Sequence, residues 1–371
     1  MNNYMELDTP ALVVDRKGME ENMRRMQDYA DRHHVNLRPH TKTHKTPELA
    51  LKQQEFGCKG IAVAKVGEAE VMAEAGLKDI LIANEIVGEK KYQRIQKLAE
   101  KGIDIKFGLD SIAQAELIEK SFEKASKPAQ CVIEIEVGER RSGIVEEEEC
   151  QKLLDYLKSC PHIHLRGVFS HDGDSYSAKD IETARRKSVI AQERTLKFAK
   201  MCRENGFDIS IVGIGSTPSL ANDSDILEGI TEIRPGTYPF MDASQDNAMN
   251  HTWNCNAFVL ATVMSKPTEE RVILDVGAKG LTMQSRSEGI CAVEGLGNLI
   301  DYPDTHIDLM YDEHAIIYNK KFHDSVKVGD KVRIVPVHIC PVVNLYDRMY
   351  LIDENGDVEK ELTIACRGKL Q

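Results

Sequence analysis

Residues 60–83 read GIAVAKVGEAEVMAEAGLKDILIA. Gly60–Ala64 is a short apolar run that suits a buried strand. Val66–Ala75 follows with helical period, since Glu68, Glu70 and Glu74 give a polar face beside Val71, Met72 and Leu77. Asp79–Ala83 is again apolar and β-branched. The same alternation extends outward in both directions. Strands are expected at Val35–Arg38, Asp104–Gly108, Cys131–Val137, His164–Ser170, Asp208–Gly213 and Ile230–Arg234. Helices are expected at Glu48–Phe56, Lys90–Lys101, Ser111–Lys124, Glu146–Leu157 and Ala178–Asn205. Eight β-then-α units predict an α/β fold, a (β/α)8 TIM-like barrel, with its active site at the C-terminal ends of the strands. An open doubly wound sheet is the alternative. It usually carries a glycine-rich dinucleotide turn after the first strand, and none stands here.

The texture changes after about residue 250. Helical period vanishes, and Ala257–Ser265, Arg271–Val276, His306–Tyr311, Ala315–Tyr318, Lys331–Val337, Arg348–Ile352 and Glu361–Ala365 read as strands between turn signals. The expected division is therefore a barrel over residues 16–250 and a C-terminal all-β domain over 251–371. Residues 1–15 contribute a strand, Ala11–Asp15, to the latter.

Composition sets the limits. The chain has 371 residues, 42% of them hydrophobic and 29% charged, an ordinary balance for a packed globular protein. Lysine plus arginine is 48 and aspartate plus glutamate 60, so the net charge is 48 − 60 = −12. An acidic chain has no general attraction for nucleic acid or an anionic membrane. No stretch is apolar enough to span a bilayer, and the opening MNNYMELDTP does not read as a secretory signal. Nine scattered cysteines with no CxxC spacing fit a reduced, cytoplasmic chain.

Five constellations could carry chemistry. The first is Arg38-Pro39-His40-Thr41-Lys42-Thr43-His44-Lys45, directly after the first strand. Clustered positive charge lowers a lysine pKa and makes a better amine nucleophile; the competing reading is a solvated basic loop. Gly213-Ile214-Gly215-Ser216-Thr217-Pro218-Ser219 and Arg234-Pro235-Gly236-Thr237-Tyr238 follow the seventh and eighth strands. Barrels often hold phosphate there, on backbone N–H groups and hydroxyls. Glu136-Val137-Gly138-Glu139-Arg140-Arg141-Ser142-Gly143 places an arginine after the fifth strand. It could meet a cofactor phenolate, a substrate carboxylate, or only Glu139. Finally, Pro336-Val337-His338-Ile339-Cys340-Pro341 reads as a strand in which His338 and Cys340 face one side. They form either an open metal site or a buried histidine beside an inert thiol.

Together these segments resemble the fold-type III pyridoxal-phosphate enzymes, in particular the metal-activated D-serine dehydratase and D-threonine aldolase group. The resemblance runs from Thr9-Pro10-Ala11-Leu12-Val13-Val14-Asp15 to the closing strands and includes Asp275-Val276-Gly277-Ala278-Lys279. It implies that Lys42 carries pyridoxal 5'-phosphate as a Schiff base and that Arg141 contacts the phenolic oxygen. It also implies that Gly215, Ser216, Thr217, Gly236, Thr237 and Tyr238 hold the phosphate. His338 and Cys340 would bind one divalent metal, zinc or alternatively manganese, beside the cofactor. His171 and Tyr176, in His171-Asp172-Gly173-Asp174-Ser175-Tyr176, are implied as a base or as cofactor contacts. Glu136, Asp172 and Asp174 depart from the usual pattern, and the last two bear on substrate identity. The implied activity is a lyase for β-hydroxy D-amino acids, first a D-serine dehydratase giving pyruvate and ammonia. The alternatives are a D-threonine aldolase and, beyond it, an amino-acid racemase or a non-catalytic cofactor-binding protein. The implied partner is a small-molecule D-amino acid, and the implied assembly a homodimer.

Overall fold

The computed structural model describes residues 3–371, which fall into two compact units. The first two residues of the expected N-terminal strand segment lie outside the described residues. The strands in chain order are β1 (Ala11–Asp15), β2 (Asn36–Leu37), β3 (Ile61–Val63), β4 (Asp79–Glu85), β5 (Asp104–Leu109), β6 (Ala129–Ile135), β7 (Ile163–Ser170), β8 (Ile211–Ile214) and β9 (Glu232–Ile233). They continue with β10 (Ala257–Ser265), β11 (Arg271–Leu274), β12 (Gly297–Leu299), β13 (Leu309–Met310), β14 (Ala315–Tyr318), β15 (Lys331–Pro336), β16 (Arg348–Ile352) and β17 (Val358–Thr363).

One unit comprises Met26–Lys42, Pro47–Gly236 and Gly368–Gln371. Its eight strands lie in the order β2-β9-β8-β7-β6-β5-β4-β3, and every neighbouring pair is parallel. The edge strands meet through main-chain bonds: the Ala62 N–H donates to the Pro39 carbonyl at 2.8 Å and the Thr41 N–H to Ala62 at 2.8 Å. The sheet thus curls into the expected barrel, with helices between successive strands. Strands covered on both faces read as unbroken apolar runs, which is why Ile61–Val63 and Ile211–Ile214 are buried throughout. Leu81, Val132, Phe169 and Ile211 pack together as a core cluster. Gly167 permits the close approach of β7 and β8, since a Cβ there would lie 1.9 Å from the Ile211 carbonyl oxygen.

Near the N-terminal ends of β4 and β5 sits a buried ionic network. Arg38 Nη1 lies 2.7 Å from Asp79 and its Nε 2.9 Å from Glu232, while the fully buried Lys106 ammonium lies 2.5 Å from Asp79. Burial alone would lower the Arg38 pKa, but Glu232 and Asp79 outweigh it and raise it. Gly60 makes room, because a Cβ there would lie 2.6 Å from Arg38 Nη1.

The other unit comprises the chain through Arg25, Thr43–Thr46 and Thr237–Arg367. Its sheet runs β13-β14-β11-β10-β1-β16-β17, with β15 pairing both β10 and β12. Strand β1 lies inside this sheet, antiparallel to β10 and parallel to β16, so Val13 stands opposite both Phe258 and Tyr350. Ala11, Val13, Phe258, Leu260 and Ile352 pack as one core cluster. Two sequence expectations need correction. Strand β12 lacks any alternation signal and was not expected. The region is also not free of helix, since Ala278–Leu281, Lys320–Ser325 and Ile339–Val343 are short helices. Among the described residues no helix is long and apolar enough to cross a membrane, and no disulfide forms among the nine cysteines.

The buried network makes a stability prediction. Arg38→Leu leaves Glu232, 2% exposed, without its cation, and should cost about 3–5 kcal/mol. The double change Arg38→Leu with Glu232→Leu should recover much of that loss in denaturant titrations. Additive losses in the double variant would show that the two groups do not act as a pair.

Candidate active site

In the barrel unit, cationic groups converge on His40. This imidazole is buried, and burial first, then the charges of Lys42, Arg234, His171 and Arg141, hold its pKa well below the ordinary value. The four come from the loops after β2, β9, β7 and β6. The basic segment around Lys42 is therefore no solvated surface loop, since Arg38, His40 and Thr41 are all buried.

After β6 the chain turns sharply. The Glu136 carboxylate accepts the N–H groups of Gly138 at 2.6 Å and Arg140 at 2.7 Å, and both residues have positive φ. The turn presents Arg141, whose Nη2 lies 3.4 Å from Glu134 and Nη1 3.3 Å from Glu139. Glu139 also meets His171 Nδ1 at 2.9 Å. Burial alone would raise the Glu139 pKa, but His171 and Arg141 hold it below the usual carboxylate range. The His171 and Tyr176 rings stand edge to face at 6.1 Å. A cavity of about 940 Å³ opens here, lined among others by Arg140, Arg141, Ser142 and Asp174.

The loops after β8 and β9 form a hydroxyl-rich cradle. Gly215 has φ +136°, and a Cβ there would lie 2.9 Å from the Arg234 nitrogen. Ser216 Oγ lies 3.2 Å from Ser175 Oγ and 3.1 Å from Ser219 Oγ, all three buried, and the Gly236 N–H donates to Thr217 Oγ1 at 3.3 Å. Ser175 joins this cluster from the segment after β7, a role its local sequence did not signal. Arg234 was quoted only as part of a loop. Its guanidinium is buried, donates to the Ser170 carbonyl at 2.6 Å and leaves Nη1 buried without a partner. Burial pushes its pKa down to about 10. Both oxygens of buried Asp172 are likewise unpartnered. Unsatisfied buried polar atoms beside backbone and hydroxyl donors fit a bound phosphorylated, polar ring.

Thr237, Tyr238, His338 and Cys340 belong to the other unit. The strand expected to carry the last two ends at Pro336. His338 instead caps the helix Ile339–Val343, and Cys340 lies within its first turn. The pair therefore sits at a helix start and not on a strand, and the Cys340 charge acts on the His338 imidazole. Asp242 was missed in the sequence and is decisive here. It is fully buried and caps the helix Ala243–Ala248 through Oδ1, which accepts the Gln245 N–H at 2.9 Å. Its Oδ2 meets His338 Nδ1 at 3.0 Å and accepts the Ile339 N–H at 3.0 Å. Burial works against a charged imidazole, but Cys340 and then Asp242 push the His338 pKa up to about 10. Thr43, the residue after Lys42, places Oγ1 3.1 Å from Cys340 Sγ, and Thr237 Oγ1 lies 3.8 Å from it. An imidazole oriented by a carboxylate through Nδ1, beside a thiol, is a donor set that suits a borderline-soft divalent ion. Among the described residues no group of three or more His, Cys, Asp or Glu could hold a metal, so solvent or substrate would have to complete the coordination.

Residues 14–244 match the family of the alanine racemase N-terminal domain, and residues 256–352 match a serine dehydratase domain. The chain belongs to the fold-type III pyridoxal-phosphate enzymes. It is 32% identical to a D-threonine aldolase of Arthrobacter sp, over 98% of this chain and 93% of that protein. It is 29% identical to a D-threo-3-hydroxyaspartate dehydratase of Delftia sp. (strain HT23), over 96% of this chain and 97% of that one. The solved structure of the Delftia dehydratase superposes with a TM-score of 0.90 at 26% identity, covering 98% of this chain and 99% of that one. Two further structures of it are single mutants, one of a histidine and one of a cysteine two positions later, the cysteine mutant being in the metal-free form. A D-threonine aldolase from Filomicrobium marinum gives 0.89 at 28% identity, covering 99% and 98%. The D-threonine aldolase and D-threo-3-hydroxyaspartate dehydratase relatives are matched over nearly the whole chain, barrel and β domain together.

The geometry around His338 sets a test. Asp242→Asn should weaken zinc binding by about 10–100-fold in competition with a chromophoric chelator, with the fold checked by circular dichroism. Unchanged affinity in a folded variant would remove Asp242 from this role.

Proposed function

We propose that this protein is a pyridoxal-phosphate- and divalent-metal-dependent lyase that dehydrates a β-hydroxy D-amino acid, with D-serine as first candidate. The observation that carries the reading is the oriented His338–Cys340 pair, whose thiol is touched by the residue next to Lys42. The single mutants of the dehydratase are of a histidine and a cysteine at this same spacing.

Lys42 would hold the cofactor through Nζ, and Gly215, Ser216, Thr217, Gly236, Thr237 and Tyr238 would hold its phosphate. Arg141, fixed between Glu134 and Glu139, would meet the phenolic oxygen, with Tyr176 alongside. When bound, the cofactor supplies an electron sink for the bond broken at Cα. A divalent ion on His338 and Cys340 would supply a Lewis acid for the departing β-hydroxyl. Lys42 Nζ takes the Cα proton and must be close to neutral to do so. Glu139 fixes one nitrogen of His171 and leaves the other to move a proton at the β-oxygen. Elimination of the β-hydroxyl from D-serine would give the three-carbon enamine, which takes up one water to give pyruvate and ammonia, so water is lost and regained overall. The reading includes a homodimer in the cytoplasm.

A second reading is retro-aldol cleavage, favoured by the 32% identity to the Arthrobacter D-threonine aldolase. The same groups would serve it, with His171 as the base on the β-hydroxyl.

Product analysis separates the two. D-Serine should give pyruvate faster than D-threonine gives glycine; dominant glycine from D-threonine would establish the aldolase. The loaded protein should be yellow, and borohydride should fix the chromophore on Lys42. Lys42→Ala should abolish that adduct, and a peptide map showing Lys45 modified instead would refute the assignment. Chelation and Cys340→Ala should both remove lyase activity, a loss of several kcal/mol of transition-state stabilisation (roughly 3 or more), while the colour persists. Full activity without metal would overturn the metal role.

A further inference from the structure

The segment Thr43–Thr46, directly after Lys42, belongs to the unit that holds the β domain. It is a tight turn held by its own side chains. The Thr46 N–H donates to His44 Nδ1 at 3.1 Å, and the Thr46 hydroxyl donates to the His44 carbonyl at 2.7 Å. Two further contacts fix the turn within that unit. The Cys366 N–H donates to the Lys45 carbonyl at 3.0 Å, and the His44 ring stands edge to face with Phe240 at 6.4 Å. Lys45 has φ 52°, a left-handed value that a residue with a Cβ keeps only where its surroundings impose it. Thr43 therefore has little freedom, and it is fully buried. A buried hydroxyl needs a partner. Among the described residues, the one hydrogen-bond partner of Thr43 Oγ1 is Cys340 Sγ, at 3.1 Å.

Cysteine binds a metal as the thiolate, which accepts hydrogen bonds and donates none. In that state the Thr43 O–H is the donor. Such a bond holds the sulfur in one orientation and withdraws part of its charge. His338 already has a support of this kind, since Asp242 Oδ2 meets its Nδ1 at 3.0 Å. Thr43 is the equivalent for the sulfur. Thr237 Oγ1 stands farther off, at 3.8 Å from Cys340 Sγ.

We propose that Thr43 is a positioning residue for the metal: its hydroxyl donates to Cys340 Sγ and sets the direction in which the sulfur offers its remaining electron pairs. It thereby sets both the affinity of the His338–Cys340 pair for a divalent ion and the donor strength of the thiolate. The inference rests on the proposed function in taking Cys340 as a metal ligand. The effect belongs to the hydroxyl and not to the shape of the side chain. Serine keeps the O–H. Valine keeps the shape and loses the O–H. Valine also removes a buried polar group, so the metal-free protein should be no less stable for the change.

The test measures zinc affinity of the full chain, loaded with cofactor, by competition with a chromophoric chelator. Thr43→Val should bind zinc about tenfold or more weakly, and Thr43→Ser should stay within about threefold of the wild type. The thermal midpoint of metal-free Thr43→Val should not fall below that of the wild type. Cobalt in place of zinc gives a spectroscopic reading in difference spectra. A thiolate that loses a hydrogen bond gives up its electrons more readily, so the thiolate-to-cobalt charge-transfer band should move to longer wavelength in Thr43→Val and stay in place in Thr43→Ser. Thr43→Ala also lacks the hydroxyl, should follow Thr43→Val in both readings, and decides the question if the valine variant does not fold. Wild-type zinc affinity with an unshifted band in Thr43→Val or Thr43→Ala overturns the proposal, as does a folded Thr43→Ser that binds as weakly as Thr43→Val. Absence of any thiolate-to-cobalt band in the wild type would overturn Cys340 as a ligand and the proposed metal role with it. A wild-type band that the variants leave unmoved defeats Thr43 alone.

Discussion

Lys42, Arg141, His171 and Arg234 all press positive charge on one buried imidazole, His40. Basic groups so crowded at the end of a barrel need support, and much of the surrounding structure can be understood as what holds them in place. Glu134 and Glu139 clamp Arg141, and Glu139 also takes His171. Arg234 is kept charged although buried by Glu232 and Glu134, and is pinned by the Ser170 carbonyl. The result favours anionic ligands and an uncharged amine at the same place, two demands that a phosphorylated carbonyl cofactor on a lysine makes together.

The β domain meets a different constraint. In the proposed metal role, one imidazole and one thiol would leave coordination positions open, so the orientation of each donor would have to come from its neighbours. Asp242 orients His338 and at the same time starts a helix, which ties the imidazole to a rigid element rather than to a loop. Thr43 and Thr237 flank the Cys340 sulfur.

What the sequence revealed follows from the range of each signal. Parallel strands buried on both faces, with amphipathic helices between them, are local patterns, and all eight barrel strands were visible within a few residues of their true ends. His338 and Cys340 were visible as a motif, but the strand geometry inferred for them was wrong, because two residues past a strand end can begin a helix as readily as continue the strand. Asp242 was invisible because its partner lies 96 positions away in sequence. Ser175 read as part of a polar turn until the fold set it against Ser216.

Strand β1 sits between β10 and β16. During synthesis it emerges first, yet neither neighbour exists until the whole barrel has been made. At ribosomal speed that interval is on the order of tens of seconds. Until then the apolar Ala11–Val14 run has no sheet to join and offers an open edge to other chains. The barrel can form in the meantime from contacts between successive units, so the sheet is the late and concentration-sensitive step of biogenesis. A nascent chain released before residue 348 would keep its barrel segments but leave β1 with one neighbour instead of two.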